Sequence, residues 1–479
     1  MYPLSRRRFL AATAATAATG IVNTLHPLLR PSPAFASGAT AIRVGTRTID
    51  VDGRAATVFG LTQADGSPGL VTTAGERFRV RLENGLDEET LIHWHGLTPP
   101  WQQDGVPDLS QPPLAVGEAY DYDFRLTKPG TNWMHSHHGL QEQQLMAAPL
   151  IVRDPTEAGE DIQEVVVLFH DFTFRDPNEI LAELQGAAIP MDGMDHAAMG
   201  HGAMPTDAGP HLHDVDYGAF LANDRTLADP EVVRVERGGR VRLRLINGAT
   251  ATHFWLDLGA LEGQLIAVDG NAIVPVVGTR FEFAIAQRLD ILLDLPAADG
   301  AWPVLAMREG DTKRTGIVLA TSGGSIAKVG PDADSAMPAV GLELERRLRA
   351  ATPLPARAPD RKLTLTITEA PGYVWMLNGA VHGEHRPLNV AAGERVEVTM
   401  IDQTTMSHPM HLHGHHFQVV GIDGERIEGA MRDTVLVPSG GRVTIAFDAD
   451  NPGRWAFHCH HLYHMAGGMM TTVEYEGVT

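Results

Sequence analysis

Apolar and polar residues alternate in three short stretches of the chain that resemble one another. They cover residues 74–85, 238–248 and 392–400, and each begins at a turn that contains glycine. Alternation with a period of two predicts a strand with one buried face. A second shared stretch, with a tryptophan at its centre, follows at 128–135, 299–306 and 451–458. The chain therefore contains three copies of one pattern.

The copies define a domain organisation. Short alternating strands between turns of glycine, proline and aspartate are typical of β-sandwiches, so we predict an all-β fold. We place domains at 37–155, 156–320 and 355–479. The segment 321–354 between the second and third domains is predicted to be a linker, with scattered prolines and a charged stretch at 342–350 that has a helical pattern.

Residues 1–36 have the pattern of an export signal. A twin-arginine sequence lies at 5–10, an apolar run at 11–22, and Ala-Phe-Ala at 34–36 offers a cleavage site. Because the apolar run is too short to span a bilayer, we expect no stable membrane insertion. We expect the twin-arginine export machinery of a bacterium to deliver a periplasmic or secreted protein. A basic N-terminus on a cytosolic chain, or a membrane anchor, is the alternative.

Charge narrows the range of partners. Without the four arginines of the leader, the chain has 34 basic and 59 acidic residues, a formal charge of −25. So acidic a surface argues against nucleic acid or an anionic membrane as a partner. It is compatible with cationic substrates, but a role in solubility would explain it equally well.

The chain has a single cysteine, Cys459, which excludes an internal disulfide. In a strand its sulfur points to one side, and the neighbouring His458 and His460 point to the other. His464 and Met469 follow closely enough for a turn to bring an imidazole and a thioether back to the sulfur. A thiolate, imidazoles and a weak thioether are the ligands of a blue-copper electron-transfer centre.

Four histidine pairs with one residue between their members accompany the cysteine. They stand at 93 and 95, 135 and 137, 411 and 413, and 458 and 460, and His408 precedes the third pair. Each pair places two imidazoles on one face of a strand, and eight converging imidazoles could hold about three copper ions. His211 and His213, and His413 with His415, have the same spacing without comparable surroundings, so the spacing alone is a weak signal.

These motifs, in this order, resemble the four copper-binding motifs of the multicopper oxidases, a family that includes laccases, cuprous oxidases and copper-resistance oxidases. The matching segments are His-Trp-His-Gly at 93–96, His-Ser-His at 135–137, His-Pro-Met-His-Leu-His-Gly at 408–414 and His-Cys-His with its following histidine and methionine at 458–469. The resemblance implies three cupredoxin-like Greek-key domains and four copper ions. By resemblance, the type 1 copper is bound by His408, Cys459, His464 and axial Met469, the type 2 copper by His93 and His411, and the two type 3 ions by His95, His135 and His460 and by His137, His413 and His458.

The resemblance implies a four-copper oxidase that takes single electrons from a substrate and reduces oxygen to water. Cys459 would connect the two copper sites, because its sulfur serves one site and its sequence neighbours serve the other. Asp104 matches an aspartate that assists proton delivery in relatives, although an Asp-Gly pair is also a good turn. Many bacterial relatives have a glutamate directly after the last type 1 histidine. This chain has Met465 there, which leaves one proton route without an acid.

A methionine-rich stretch in the second copy is the remaining unusual feature. Its candidate ligands are Met191, Met194, His196, Met199, His201 and Met204. Thioethers favour Cu(I), and the glycines of this stretch are typical of a loop, so we interpret it as a loop that collects Cu(I). The alternative is a flexible insertion, or methionines packed over an apolar surface. His211 and His213 could extend such a site.

The reducing substrate stays open among Cu(I), phenolic or aromatic-amine donors and Mn(II). A different class of function is a periplasmic copper-sequestering protein without turnover, which the methionine-rich stretch alone would permit. Storage has no need of Cys459 between two cluster histidines, which argues against that class. A structural member of the family, of the type that acts in cell division, would lack the copper ligands that this chain has. A two-domain nitrite reductase would lack the third copy of the pattern.

Overall fold

The computed structural model of this protein describes residues 38–186 and 211–478. The predicted export signal at 1–36 and the methionine-rich stretch at 191–204 lie outside these residues. Strands dominate the described parts, and the three α-helices there are short. In the same residues, no helix has the length and apolar character needed to cross a membrane.

The first eight strands form two four-stranded sheets. In chain order they are β1 (Thr40–Val51), β2 (Arg54–Gln63), β3 (Leu70–Thr73), β4 (Arg77–Asn84), β5 (Ile92–His93), β6 (Ala119–Arg125), β7 (Gly130–Ser136) and β8 (Ala147–Arg153). One sheet has the order β2-β1-β4-β6 and the other β3-β8-β7-β5. Short 3₁₀ helices at Trp101–Gln103, Gln141–Gln144 and Pro155–Glu157 lie between or after these strands.

The middle of the chain adds eleven strands and one helix. They are β9 (Gln163–Phe172), α1 (Pro177–Leu184), β10 (Ala219–Ala222), β11 (Val232–Arg234), β12 (Arg240–Asn247), β13 (Phe254–Asp257), β14 (Gly263–Val268), β15 (Asn271–Gly278), β16 (Arg280–Phe283), β17 (Arg288–Asp294), β18 (Ala301–Arg308) and β19 (Arg314–Ala320). Their sheets have the orders β10-β9-β12-β17-β14-β15 and β11-β19-β18-β13-β16.

The last part contains α2 and α3 and twelve strands. They are α2 (Glu343–Arg347), β20 (Arg361–Ala370), β21 (Val374–Leu377), β22 (Leu388–Val390), β23 (Arg395–Asp402), β24 (His408–Leu412), β25 (Phe417–Ile422), β26 (Glu425–Arg426), β27 (Met431–Arg432), β28 (Thr434–Val437), β29 (Arg442–Asp448), β30 (Arg454–Cys459), α3 (Leu462–Ala466) and β31 (Met470–Tyr475). One sheet is β21-β20-β23-β29-β25-β26, with β27 beside β25, and the other is β22-β31-β30-β24-β28.

The three predicted alternating strands are β4, β12 and β23, and each has the same place in its sheet. Each runs parallel to the opening strand of its copy, which is β1, β9 or β20. Each is antiparallel to its other neighbour, β6, β17 or β29. In β4 the alternate residues Phe78, Val80 and Leu82 are buried, as the pattern requires. The prediction of an all-β fold is confirmed.

The predicted helix at 342–350 is shorter in the structure. It begins at Glu343 and ends at Arg347, because Leu348 has an extended backbone with ψ of 142°. Leu344 and Leu348 are buried in the same hydrophobic cluster as the middle strands. Glu345, between them, is also buried and forms an ion pair with Arg432 at 2.7 Å. This part of the predicted linker is therefore packed into the protein.

Candidate metal centre

A cysteine and two histidines converge at one end of β24 and β30. The sulfur of Cys459 lies 3.7 Å from Nδ1 of His408 and 3.8 Å from Nδ1 of His464, and the two Nδ1 atoms are 3.1 Å apart. None of the three residues is exposed to solvent. We call this group the cysteine site. It brings together residues from β24, β30 and α3 that are as many as 56 positions apart in the chain.

The turn after β30 closes the cysteine site. The backbone N–H of Cys459 donates to the carbonyl of Met469 at 3.1 Å, and the N–H of Met469 donates to the carbonyl of His464 at 3.0 Å. Met469 is fully buried in the same hydrophobic cluster as Cys459. The predicted axial residue is therefore fixed by its backbone next to the other three.

Eight histidines form a second group, the histidine cluster, between β5, β7, β24 and β30 and the residues that follow them. Its members are His93, His95, His135, His137, His411, His413, His458 and His460, and all are buried. Nε2 of His458 lies 3.3 Å from Nε2 of His137 and 2.9 Å from Nε2 of His413. Nε2 of His135 lies 3.3 Å from Nε2 of His460 and 3.4 Å from Nδ1 of His95, whereas Nε2 of His93 faces Nε2 of His411 at 3.5 Å.

Cys459 joins the two groups through its own strand. In β30 the residue pairs opposite β24 are Met410 with Cys459 and His411 with His458. Since side chains alternate along a strand, the sulfur of Cys459 points away from the side chains of His458 and His460. The predicted arrangement of one cysteine between two cluster histidines is thus what the backbone of β30 produces.

Hydrogen bonds on the far side of the rings decide which nitrogens face inward. Nδ1 of His413 donates to a carboxylate oxygen of Asp104 at 2.8 Å, and Nδ1 of His458 donates to the carbonyl of Cys459 at 2.8 Å. Nδ1 of His93 donates to the carbonyl of Asp104, also at 2.8 Å. A neutral imidazole has only one N–H, so these bonds leave the inward Nε2 atoms as lone-pair acceptors.

This arrangement fits a metal ion. Burial lowers the pKa of His458 to about 3, and burial together with neighbouring histidines holds the pKa of His413 well below its ordinary value. Both rings are therefore neutral, and their two acceptor atoms face each other at 2.9 Å with no proton between them. Lone pairs at this distance repel unless a cation accepts both of them. Copper is well suited to imidazole nitrogen, and the thiolate and thioether of the other site favour it further.

The cysteine site has the same electrostatic character. Burial lowers the pKa of His464 to about 3 and holds the pKa of His408 well below its ordinary value. Burial also raises the pKa of the Cys459 thiol. Nε2 of His408 donates to the hydroxyl of Thr404 at 2.7 Å, which leaves its Nδ1 as an acceptor toward the sulfur. A thiol of this kind releases its proton when a metal replaces it.

Three buried carboxylates surround the histidine cluster, and only Asp104 was predicted from the sequence. Glu142 lies 3.0 Å from Nδ1 of His135 and 3.8 Å from Nδ1 of His460. Asp433 lies 3.2 Å from Nε2 of His95. Burial acts to raise the pKa of Asp433, but the adjacent Arg288 outweighs it, and the pKa ends below its ordinary value.

The sequence around Glu142 and Asp433, the two buried acids that were not predicted, does contain signals. Glu142 stands five residues after the second histidine motif, in the polar run 141–144 within an otherwise apolar stretch. Asp433 follows Arg432 between apolar segments. A charged residue between apolar neighbours is rarely buried unless it is paired. This rule would have identified Glu142 and Asp433 as candidates for a buried, paired position.

A cover of polar and aromatic side chains lies over His464. The side chain of Asp214 is 6% exposed, and its carboxylate lies 3.4 Å from Nε2 of His464 and 3.1 Å from Nε2 of His461. The hydroxyl of Tyr373 donates to the same carboxylate. The ring of His461 is stacked on that of His464 with 3.7 Å between centroids. No sequence motif marks any of these covering residues.

Other candidates from the sequence have separate positions. His415 shares the paired spacing, but its ring nitrogens contact the carbonyl of His413 at 3.1 Å and the hydroxyl of Tyr475 at 2.6 Å, so it serves the core. Nε2 of His213 donates to the carbonyl of Glu309 at 2.8 Å, and the backbone N–H of His211 donates to the carbonyl of Thr405 at 2.9 Å. The six candidate Cu(I) ligands between 191 and 204 lie outside the described residues.

Comparison with known protein families agrees with this geometry. Multicopper oxidase family models match residues 43–157, 163–323 and 356–477, which together cover most of the chain. The chain belongs to the multicopper oxidase family. A multicopper oxidase holds copper and couples the oxidation of a reducing substrate to the reduction of oxygen, so the predicted family, cofactor and enzyme class are confirmed.

Individual relatives span nearly the whole length of this multicopper oxidase. Multicopper oxidase MmcO of Mycobacterium tuberculosis is 31% identical, over 87% of this chain and 83% of the relative. A copper resistance protein A homolog of Pseudomonas syringae is 26% identical, over 93% and 94% of the two chains. The crystal structure of a laccase from Botrytis aclada has a TM-score of 0.74 at 24% identity, over 90% of this chain and 86% of the laccase, which confirms the cupredoxin-like fold.

Proposed function

We propose that the two groups of ligands described above hold the four copper ions of this oxidase. Within this proposal His408, Cys459, His464 and Met469 bind the type 1 ion, His93 and His411 the type 2 ion, and His95, His135 and His460 and then His137, His413 and His458 the two type 3 ions. The observation that carries the proposal is the set of inward acceptor nitrogens, 2.9 to 3.5 Å apart, which only a cation can reconcile.

Electron flow through the protein follows from the position of Cys459. Copper held by His408, Cys459, His464 and Met469 would supply one-electron oxidation chemistry, and copper held by the histidine cluster would supply the reduction of oxygen to water, which takes up four electrons and four protons. The peptide bonds of Cys459 to His458 and His460 are the shortest covalent connection between the two groups. Asp104 supports proton delivery in this scheme, because its carboxylate accepts a hydrogen bond from the Nδ1–H of His413 at the edge of the cluster.

Replacing the thiol tests the assignment. We expect Cys459→Ser to lose the intense blue absorption and the oxidase activity and to retain three copper ions per chain instead of four. His415→Gln is the matched control, since it also removes a buried ligand-type side chain but should keep all four ions and the blue colour. Copper analysis and visible spectra of the purified variants distinguish these outcomes. Loss of all copper in Cys459→Ser would contradict the division into two groups.

We also propose Cu(I) as the principal reducing substrate. In the described residues His464 has no exposed surface, and the groups nearest its outer edge are the carboxylate of Asp214 and the imidazole of His461. These groups suit a small cation better than a planar phenol. Asp214 follows Met204, the last residue of the methionine-rich stretch, by ten positions, so thioethers that favour Cu(I) precede Asp214 closely in the chain. The similarity to a copper resistance protein supports the same substrate and a role in copper homeostasis.

Oxygen uptake distinguishes the donors. We would compare Cu(I) and a dimethoxyphenol as substrates of the wild type, of a deletion of 190–205, and of a variant with Leu at Met191, Met194, Met199 and Met204. Leucine preserves side-chain volume without the sulfur. If Cu(I) is the substrate, both variants oxidise it more slowly while the phenol rate is unchanged or rises. A preference for the phenol that neither variant alters would show that the protein acts as a laccase.

The remaining parts of the proposal concern organisation and location. Domains at 37–155, 156–320 and 355–479, with a linker at 321–354, agree with the division of the strands into three pairs of sheets. The twin-arginine pattern at 5–10 supports export of the folded protein to the periplasm or medium. Fusion of 1–36 to a reporter that is active only after export, with Arg6 and Arg7 replaced by Lys as the control, tests that location.

A further inference from the structure

Arg288 has no solvent exposure and begins β17, in the middle copy of the pattern, which supplies none of the copper ligands proposed above. Its guanidinium donates to both carboxylate oxygens of Asp433, with 2.7 Å between Nη1 and Oδ1. Its other bonds go to backbone carbonyls, from Nε to Thr131 at 3.2 Å and from Nη1 to Ala286 at 3.0 Å. Two parallel bonds of this kind fix the orientation of a carboxylate.

Asp433, in turn, contacts two members of the histidine cluster from opposite ends of the chain. Its Oδ1 accepts from Nε2 of His95 at 3.2 Å, and its backbone carbonyl accepts from Nδ1 of His411 at 2.9 Å. These bonds select opposite tautomers of the two rings, leaving Nδ1 of His95 and Nε2 of His411 to face inward. The two rings are stacked, with 3.7 Å between their centroids and 12° between their planes.

We propose that Arg288 is a positioning residue for the copper ligand His95, acting through the carboxylate of Asp433. The inference rests on the ligand assignment proposed above. The first histidine motif supports it independently. A Cβ atom on Gly96, directly after His95, would lie 2.7 Å from Nη2 of Arg288 and 2.2 Å from the side-chain oxygen of Asn132. The glycine of that motif therefore leaves the space that the guanidinium needs.

A purely structural role for Arg288 is the competing explanation. Arg288 belongs to a buried ionic group in which Asp269 lies 3.7 Å away and also contacts Arg432 at 3.1 Å. Loss of one partner from a buried ion pair destabilises proteins wherever it occurs. The experiment must therefore compare Arg288 with a second arginine that has equal burial and carboxylate partners but no bond to a residue that touches the histidine cluster.

Arg244 in β12 meets these requirements. It is 1% exposed, it contacts Asp290 at 2.9 Å and Glu164 at 2.5 Å, and it also donates to Thr131. We would prepare Arg288→Gln and Arg244→Gln as full-length copper-loaded proteins. Thermal unfolding, copper per chain, the visible band of the type 1 ion, the near-ultraviolet absorption of the type 3 pair and the electron paramagnetic resonance signal of the type 2 ion would be measured for each.

Both variants should unfold at a lower temperature than the wild type, but only Arg288→Gln should weaken the near-ultraviolet absorption of the type 3 pair, to which His95 is assigned. We expect its type 3 copper affinity to fall about 10- to 100-fold, the range typical for loss of a group that orients a metal ligand, with the type 1 band unchanged. Arg288→Lys should recover part of the affinity, because an ammonium keeps the charge without the two parallel bonds. The same type 3 absorption and copper content in Arg288→Gln and Arg244→Gln would overturn the inference.

Asp433→Asn provides the second line of evidence and remains informative if Arg288→Gln does not fold. The substitution preserves shape, and it should weaken the type 3 absorption in the same direction. Combined with Arg288→Lys it should lower type 3 affinity no further than Asp433→Asn alone, since both act through one carboxylate. Additive losses would overturn the inference. A wild-type protein without the type 3 absorption would instead refute the ligand assignment, which separates the two failures.

Discussion

The hydroxyl of Thr404 holds the remote nitrogen of His408, and its removal gives the most direct test of how the cysteine site is built. Oγ1 of Thr404 lies 2.7 Å from Nε2 of His408 and 3.1 Å from the carbonyl of Met406. The hydroxyl can therefore accept from the histidine and donate to the carbonyl at the same time. The next acceptor near Nε2 is a carboxylate oxygen of Asp402 at 3.8 Å, which is too far for a hydrogen bond.

Thr404→Val removes the hydroxyl and keeps the shape of the side chain. His408 has no solvent exposure, so its N–H would lose its partner with no access to water, at a cost of about 1–3 kcal/mol. The ring can avoid this cost by moving or by exchanging its tautomer, and either change weakens binding at Nδ1. We expect type 1 copper affinity to fall about 10- to 100-fold, which corresponds to about 1.4–2.8 kcal/mol.

Copper titration against a competing chelator measures this affinity, with the visible thiolate band as the signal. Thr399→Val is the matched control, because the hydroxyl of Thr399 pairs with that of Thr444 at 3.1 Å instead of with a histidine. The control should bind type 1 copper as the wild type does. The reasoning fails if Thr404→Val binds copper with unchanged affinity, or if Thr399→Val weakens binding equally.

Three further substitutions have defined outcomes. Asp104→Asn removes the charge that faces Nδ1 of His413, so oxygen reduction should slow about 10- to 100-fold, which stopped-flow reoxidation of the reduced enzyme measures at unchanged copper content. Met469→Leu should raise the type 1 reduction potential in a redox titration, because the axial thioether is lost, and should cost less than about 1.5 kcal/mol of stability. Gly105→Ala should abolish copper loading, since the residue has φ of +82° and its Cβ would lie 1.8 Å from a carbonyl oxygen of β5. Gly75→Ala has a similar φ of +90° and nothing within 4 Å, so its copper content should be normal.

The sequence was sufficient for the strands and for the paired histidines because both depend on local alternation. A period of two identifies β4, β12 and β23, and it also sends the side chains of His458 and His460 to the side opposite the Cys459 sulfur. The helix in the linker was predicted too long, since the pattern at 342–350 does not reveal that Leu348 leaves helical geometry to enter the core.

Contacts between distant segments were beyond the reach of such patterns. Glu142 and Asp433 are close to the histidine cluster only because the sheets of the first and third copies meet, and nothing near them in the sequence specifies that meeting. Met465 is a different case, because the sequence itself has a methionine where many bacterial relatives have a glutamate after the last type 1 histidine. The structure then reveals buried Glu142 beside His135 and His460, so an acid is present at the cluster but on another segment.

The middle copy of the pattern supplies none of the proposed copper ligands, yet it contributes a charged residue beside the histidine cluster. It places Arg288, which has no solvent exposure, against Asp433, whose carboxylate accepts from His95 and whose backbone carbonyl accepts from His411. A buried carboxylate needs a partner of opposite charge, and the first and third copies use their own strands to present ligands. Arg288 of the middle copy provides that opposite charge. The middle copy therefore has a physical function beside the cluster although it supplies no proposed ligand.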